Sequence, residues 1–260
     1  MAAKAGQSTL NAWKGVGIFL LLYYAASEHV LLQEYGPQVG AYQGLWICSV
    51  SILLSGFGML FNRPTACGAG LVAVSTGHFL WTIDTFFMVY NGSMDPMKVP
   101  FGIADYNSST GEAEWATIIT TSHHLWYMPM CCLYFRSIGV KLEIKHLYWS
   151  ILWILVVSAG TAMVVPLGCI NHTLRDGREV CMNLNVNMVK KWWGLEDVWF
   201  FHALDRENGT HAVIFYLYAN FLHNYCLNGI WYNVLKIFAN GWGSEDTTTK
   251  NTKKTKKKKA

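Results

Sequence analysis

Seven ionisable side chains fall inside stretches of this chain that are otherwise apolar: Glu28, His29, His78, Asp84, His123, His124 and His223. A carboxylate or imidazole removed from water needs a cation, a hydrogen-bond donor or a change of protonation state, so each is a functional candidate by default. Cys48 adds a nucleophile, standing in Leu45-Trp46-Ile47-Cys48-Ser49-Val50-Ser51 at the start of an apolar run. A thiol beside an imidazole is activated as thiolate and attacks an acyl carbon. The expected roles are Cys48 as nucleophile, His123 as general base with His124 beside it, and Glu28 or Asp84 orienting the ring or holding a headgroup. His78 and His223 complete the expected polar cluster. For each histidine the plainer alternative is a hydrogen-bonded helix-packing residue. Neither His-x-x-x-His nor His-Glu-x-x-His occurs, and adjacent His123 and His124 would diverge by about 100° on a helix. No metal and no other cofactor is therefore expected. His78 and Asp84, six apart, would point about 240° apart, so one of them should serve another purpose.

The elements that position these groups are membrane helices. Hydrophobic residues make up 52% of the 260 and charged ones 14%, more apolar surface than a soluble domain of this size could bury. They gather in blocks of roughly 20, the length a helix needs to cross a bilayer core. Six spans are expected, at 13–33, 44–61, 67–90, 115–135, 147–168 and 211–238, making residues 1–240 an all-α polytopic bundle. The first span is read as a retained anchor rather than a cleaved signal peptide, because the apolar run continues past Ser27 through Val30-Leu31-Leu32. Residues 241–260 are polar and lysine-rich and are expected to be a disordered tail.

Three signals give one orientation, with both termini in the cytosol. Fourteen of the twenty basic residues then lie on the cytosolic side, among them Arg63, Arg136, Lys141, Lys145 and the tail lysines, as the positive-inside rule requires. Four N-glycosylation sequons, at Asn91, Asn107, Asn171 and Asn208, all fall in loops that become lumenal. Cys169 and Cys181 share a lumenal loop, where oxidation is permitted, and are expected to be bridged. Cys67, Cys131, Cys132 and Cys226 sit in or at the ends of spans as small apolar packing residues. The aromatic and charged run from Lys190 to His202 suits a helix on the lumenal membrane surface. Measured from the lumenal ends, most of the buried ionisable groups lie about 8–18 Å deep, so they could meet in one cavity. Nucleic-acid binding is not expected, since the positive charge sits in one tail without an aromatic platform.

The order of features resembles the bacterial YwaF-type membrane proteins and their eukaryotic relative, an intramembrane acyltransferase that remodels ether phospholipids. The matching pieces are Leu45 to Ser51 around Cys48, the run His123-His124-Leu125-Trp126-Tyr127-Met128-Pro129, and Asn183-Leu184-Asn185-Val186-Asn187-Met188, with Glu28 resembling a family acid in the preceding span. The resemblance covers about residues 20–238. It implies an acyl-transfer enzyme acting on a membrane lipid. The chain's end, Lys257-Lys258-Lys259-Ala260, resembles the dilysine signal of endoplasmic-reticulum membrane proteins; a polybasic tail near anionic lipid headgroups is compatible with it.

The expectation is thus a multi-pass endoplasmic-reticulum membrane protein, a lipid acyltransferase or acyl hydrolase with an intramembrane Cys/His site and the bilayer lipid as its partner. A small transporter or proton- or ion-conducting protein is the first alternative; it needs polar residues continuing to the cytosolic side. A non-catalytic partner subunit is the second, and it would need no polar cluster.

Overall fold

A computed structural model of the chain describes residues 6–102, 104, 115–173, 177, 179–182, 186, 199–204, 206 and 226–241. Expectations for Asn107, Asn208, His223, the 190–198 run, residues 211–225 and the tail beyond Gly241 lie outside them, as does all of the 183–188 run except Val186.

Nine helices are described: α1 (Gln7–Gln43), α2 (Ile47–Leu60), α3 (Pro64–Ala73), α4 (Ser75–Asn91), α5 (Trp115–Thr121), α6 (His123–Ile138), α7 (Ile144–Val164), α8 (Trp199–Leu204) and α9 (Asn228–Asn240). Between α7 and α8 a short antiparallel hairpin pairs β1 (Ile170–Thr173) with β2 (Glu179–Met182), with Asn171 opposite Cys181. Cys169 and Cys181 are bonded across its open end. The all-α expectation therefore holds apart from this hairpin, which occupies part of the loop expected to carry only a surface helix.

Among the described residues, α1 and α7 are each long and apolar enough to cross a membrane, and α3 with α4 makes a third if the bent pair is one span. That is fewer than the six spans expected: α2 is short, 67–90 and 115–135 are interrupted, and most of 211–238 lies outside the described residues. The apolar block 67–90 is bent by 54° where α3 ends and α4 begins. Asn228 of α9 lies across the break. Its Oδ1 accepts from the Thr76 N–H (3.4 Å) and from the hydroxyls of Thr76 (2.6 Å) and Ser75 (3.2 Å), and its Nδ2 donates to the Ala73 carbonyl (3.4 Å). The block 115–135 is broken at Ser122, between α5 and α6. In α1, Gly36 has φ 74° and ψ 170°, a conformation open essentially only to glycine, and Pro37 follows it. The chain turns back there, and Gly40 lies against the backbone of Leu31 and Leu32.

Small residues let the helices approach closely. A Cβ on Gly17 of α1 would stand 2.7 Å from the Gly56 carbonyl oxygen and 2.8 Å from the Leu60 nitrogen in α2. Such backbone-to-backbone contact is how helices pack where no water drives them together. The bundle buries polar side chains within its apolar core and leaves large apolar ones outside. Ser51, Ser55, Ser75, His78, Asp84, His123 and Asn228 are buried, while Phe57, Phe86, Val89, Leu133, Val156 and Phe238 are exposed on the helix exteriors. A soluble protein rarely leaves that much apolar surface uncovered; one surrounded by lipid does.

The two ends of the bundle differ in charge. At one end Val39, Val165, Ile170 and Val186 pack together, joining the turned-back end of α1, the C-terminus of α7 and the hairpin. At the other, the Leu142 N–H donates to Asn240 Oδ1 (2.7 Å), Trp13 Nε1 donates to Ser137 Oγ, and His146 packs over Gly68. Lys14, Arg63, Arg136, Lys141, Lys145 and Lys236 all belong to segments meeting at this second end.

Candidate functional site

The first turns of three helices converge near the hairpin end. Cys48 is the second residue of α2, His78 stands in the first turn of α4, and His123 and His124 open α6. The Cys48 sulfur and a ring nitrogen from each of His123 and His124 all lie within 4.8 Å of one another. His78 closes the group, its ring centroid 4.6 Å from that of His124 and 5.5 Å from that of His123. All three imidazoles are buried, and Cys48 is half-buried.

Back-bonds to the turn before α6 hold the rings. At the start of α6 the two histidines turn back over the preceding turn, and each Nδ1 donates to a carbonyl three residues earlier: His123 to Thr120 (2.9 Å) and His124 to Thr121 (2.8 Å). A carbonyl only accepts, so the proton is on Nδ1 and the lone pair is on Nε2. His123 Nε2 has no hydrogen-bond partner, and neither nitrogen of His78 has one. The expectation that His123 and His124 diverge is corrected by this geometry. Their ring centroids are 4.2 Å apart, because the paired back-bonds to successive carbonyls override the 100° offset of the backbone.

Residues that are not ionisable at neutral pH build the walls. Trp81 stacks on His124, with centroids 4.3 Å apart and planes 16° apart. Thr82 donates to the His78 carbonyl (2.7 Å) and stands 3.3 Å from that of His124, tying α4 to α6. Tyr23 of α1 donates to the Ile119 carbonyl (2.6 Å) and places its ring 6.1 Å from His123. Beneath the cluster, the Tyr127 hydroxyl meets Ser55 Oγ (2.5 Å) and the Ser51 carbonyl (3.1 Å), while its ring lies 5.5 Å from that of His78. A search restricted to charged groups passes over all of these; the one signal was aromatic residues next to the histidines, at Trp81, Trp126 and Tyr127.

The remaining expected site residues are elsewhere. Asp84 is fully buried, and its Oδ1 accepts from the Phe101 N–H (2.9 Å) and its Oδ2 from the Ala104 N–H (3.1 Å). It anchors the segment after α4 and takes no part in the imidazole group, which corrects the role expected for it. The His78–Asp84 divergence expected from helical spacing is what separates them. Asp84→Ala should raise amide hydrogen exchange at Phe101 and Ala104 by about 100-fold, since two charge-assisted bonds are lost, and leave the Cys48 site untouched. Unchanged exchange at those two amides would remove the anchoring role.

Glu28 is half-buried within α1, its carboxylate occupying the space a Cβ on Gly44 in the α1–α2 turn would need, and its Oε1 has no hydrogen-bond partner. The structure gives it no hydrogen bond to the imidazoles, so the ring-orienting role falls to the Thr120 and Thr121 carbonyls instead. His29 points outward from α1. Asn91 and Asn171 are both exposed at the hairpin end.

No family profile, curated protein or solved structure matches this chain. What the coordinates define by themselves is a class: a mostly helical protein with membrane-capable helices and a buried thiol–imidazole cluster at one end.

Proposed function

We propose that the protein is an intramembrane enzyme of the acyl-transfer class, acting on a lipid whose carbonyl reaches the Cys48–His123–His124 cluster from the bilayer. The observation that carries this reading is the convergence of the half-buried Cys48 with two imidazoles whose Nδ1 protons are held by carbonyls, His123 Nε2 being left without a hydrogen-bond partner. His123 Nε2 takes the Cys48 proton, directly or through one bridging water, and the thiolate attacks the ester carbon. The tetrahedral intermediate collapses, the C–O bond breaks, and the leaving alkoxide recovers the proton from His123. An acceptor hydroxyl then attacks the thioester, with His123 again taking and returning a proton; a lysolipid acceptor gives transfer and water gives hydrolysis. Lipid is favoured as substrate because the cluster is walled by Trp81, Tyr23 and Trp126 inside an apolar exterior. The test is transfer of a labelled acyl chain from a phospholipid to a lysolipid in vesicles holding the purified protein. Transfer that persists in Cys48→Ala removes the thiol from the chemistry, and absence of transfer or hydrolysis by the wild type removes the assignment.

The same reading includes six spans, counting α2, α5 with α6, and α9 with its preceding residues as membrane-crossing, and an endoplasmic-reticulum location with the basic end in the cytosol. The gathering of basic residues at one end and of Asn91, Asn171 and the Cys169–Cys181 bridge at the other supports that orientation. In sealed microsomes trypsin should therefore remove the lysine tail and spare the hairpin. A protected tail contradicts the orientation.

A further inference from the structure

The cluster has more ligand atoms than a thiol–base pair needs. One imidazole suffices to deprotonate Cys48, yet His124 also has a ring nitrogen within 4.8 Å of the sulfur, and His78 lies against both histidines with neither of its nitrogens satisfied. Imidazole nitrogens packed together without a shared proton or cation are unfavourable, since a buried nitrogen left unpaired forfeits the hydrogen bond it had in water. We infer that Cys48, His123 and His124 bind a zinc-class divalent cation, with His78 available as the fourth donor.

The donor set is that of zinc, one thiolate and neutral imidazoles. The second layer is in place too. A ligating histidine usually donates its other nitrogen to a carbonyl, which fixes the tautomer and directs Nε2 at the metal; His123 and His124 both do so, to Thr120 and Thr121. Ligand atoms around a tetrahedral zinc stand about 3.3–3.7 Å apart, so a group within 4.8 Å closes onto the ion by side-chain rotation alone. On binding, the Cys48 thiol proton leaves to solvent and the S–Zn bond forms; the imidazoles contribute lone pairs without a proton change. His78 enters by rotating toward the ion, and otherwise the fourth position stays open to water or a substrate oxygen.

The inference goes beyond acyl transfer: the ion takes the same Cys48 sulfur and His123 lone pair that transfer needs, so the metal-bound state is the inactive one, and metal binding is read without turnover. The full chain in detergent micelles, stripped by chelator, is titrated with Co²⁺. The expected result is a thiolate-to-cobalt charge-transfer band that saturates at one ion per chain and is bleached by Zn²⁺. Cys48→Ser should abolish the band, Cys226→Ser should leave it, and His123→Ala or His124→Ala should weaken binding by at least about ten-fold. No saturable band in the wild type overturns the inference even if a variant fails to fold, and so does a band that survives Cys48→Ser. A metal-binding chain without acyl-transfer activity would retain this site and lose the catalytic reading, and the converse result would separate them the other way.

Discussion

Cys48→Ala is expected to lower acyl transfer between vesicle lipids by about 10⁴-fold or more, because the covalent route is lost and only binding and polarisation by the remaining groups persist. His123→Ala should cost about 10²–10⁴-fold, the range for losing a positioned acid–base group. The double variant should be scarcely worse than Cys48→Ala alone, since the two act as a unit in deprotonating one thiol. Initial rates of label transfer check all three. The informative failure is a His123→Ala loss alongside a fully active Cys48→Ala, which would mean that the imidazoles act on the lipid directly and the sulfur is a bystander.

The largest effect on stability is expected at Gly17. Its Cβ position is met by main-chain atoms of Gly56 and Leu60, and backbone cannot rotate aside as a side chain can. Gly17→Leu should force α1 and α2 apart and destabilise the bundle by about 3 kcal/mol, the upper part of the usual range for overpacking. Gly56 faces the same crossing, its Cβ position 2.9 Å from Leu21 Cδ2 and 3.2 Å from the Gly17 carbonyl, but a leucine side chain can yield, so Gly56→Ala should cost less. Gly160 of α7 has nothing within 4 Å, and Gly160→Ala should change stability by no more than about 0.5 kcal/mol. Unfolding in mixed micelles by a denaturing detergent gives the comparison. Equal midpoints for Gly17→Leu and Gly160→Ala would contradict the close helix contact.

How far these features were legible beforehand follows from what each depends on. Apolar runs are local in sequence, so the helical character of the chain could be read directly, and so could the Cys169–Cys181 pairing from compartment logic. The breaks could not. At the bend after Ala73 the partner of the Thr76 N–H and of the Ala73 carbonyl is Asn228, some 150 residues away; nothing within 67–90 announces it. The fold-back at Gly36-Pro37 did have a local signal in that dipeptide, but an apolar window averages over it.

The site divides in the same way. That Cys48 and His123 belong at one depth was readable from helix rise, because depth adds along a span. Which way a ring faces was not, because the Thr120 and Thr121 carbonyls set it. A helical wheel places backbone directions about 100° apart and says nothing of side-chain rotation, which brings the two imidazoles together. For Asp84 the chemistry of the residue was read correctly, a buried carboxylate needing donors, but the donors are two backbone amides from the following segment. An ionisable group in a span is as readily a fastener as a catalyst, and only the partner tells which.

The claim on which the account turns is that Cys48 is a working nucleophile, with the adjacent imidazole as its base. Purified chain in vesicles containing a phospholipid with an alkyne-tagged acyl chain, quenched in acid and digested, should yield the tagged acyl group on Cys48 as a thioester released by hydroxylamine. The adduct should fall to background in His123→Ala. An active protein that never carries acyl on Cys48, or carries it equally well without His123, would contradict it.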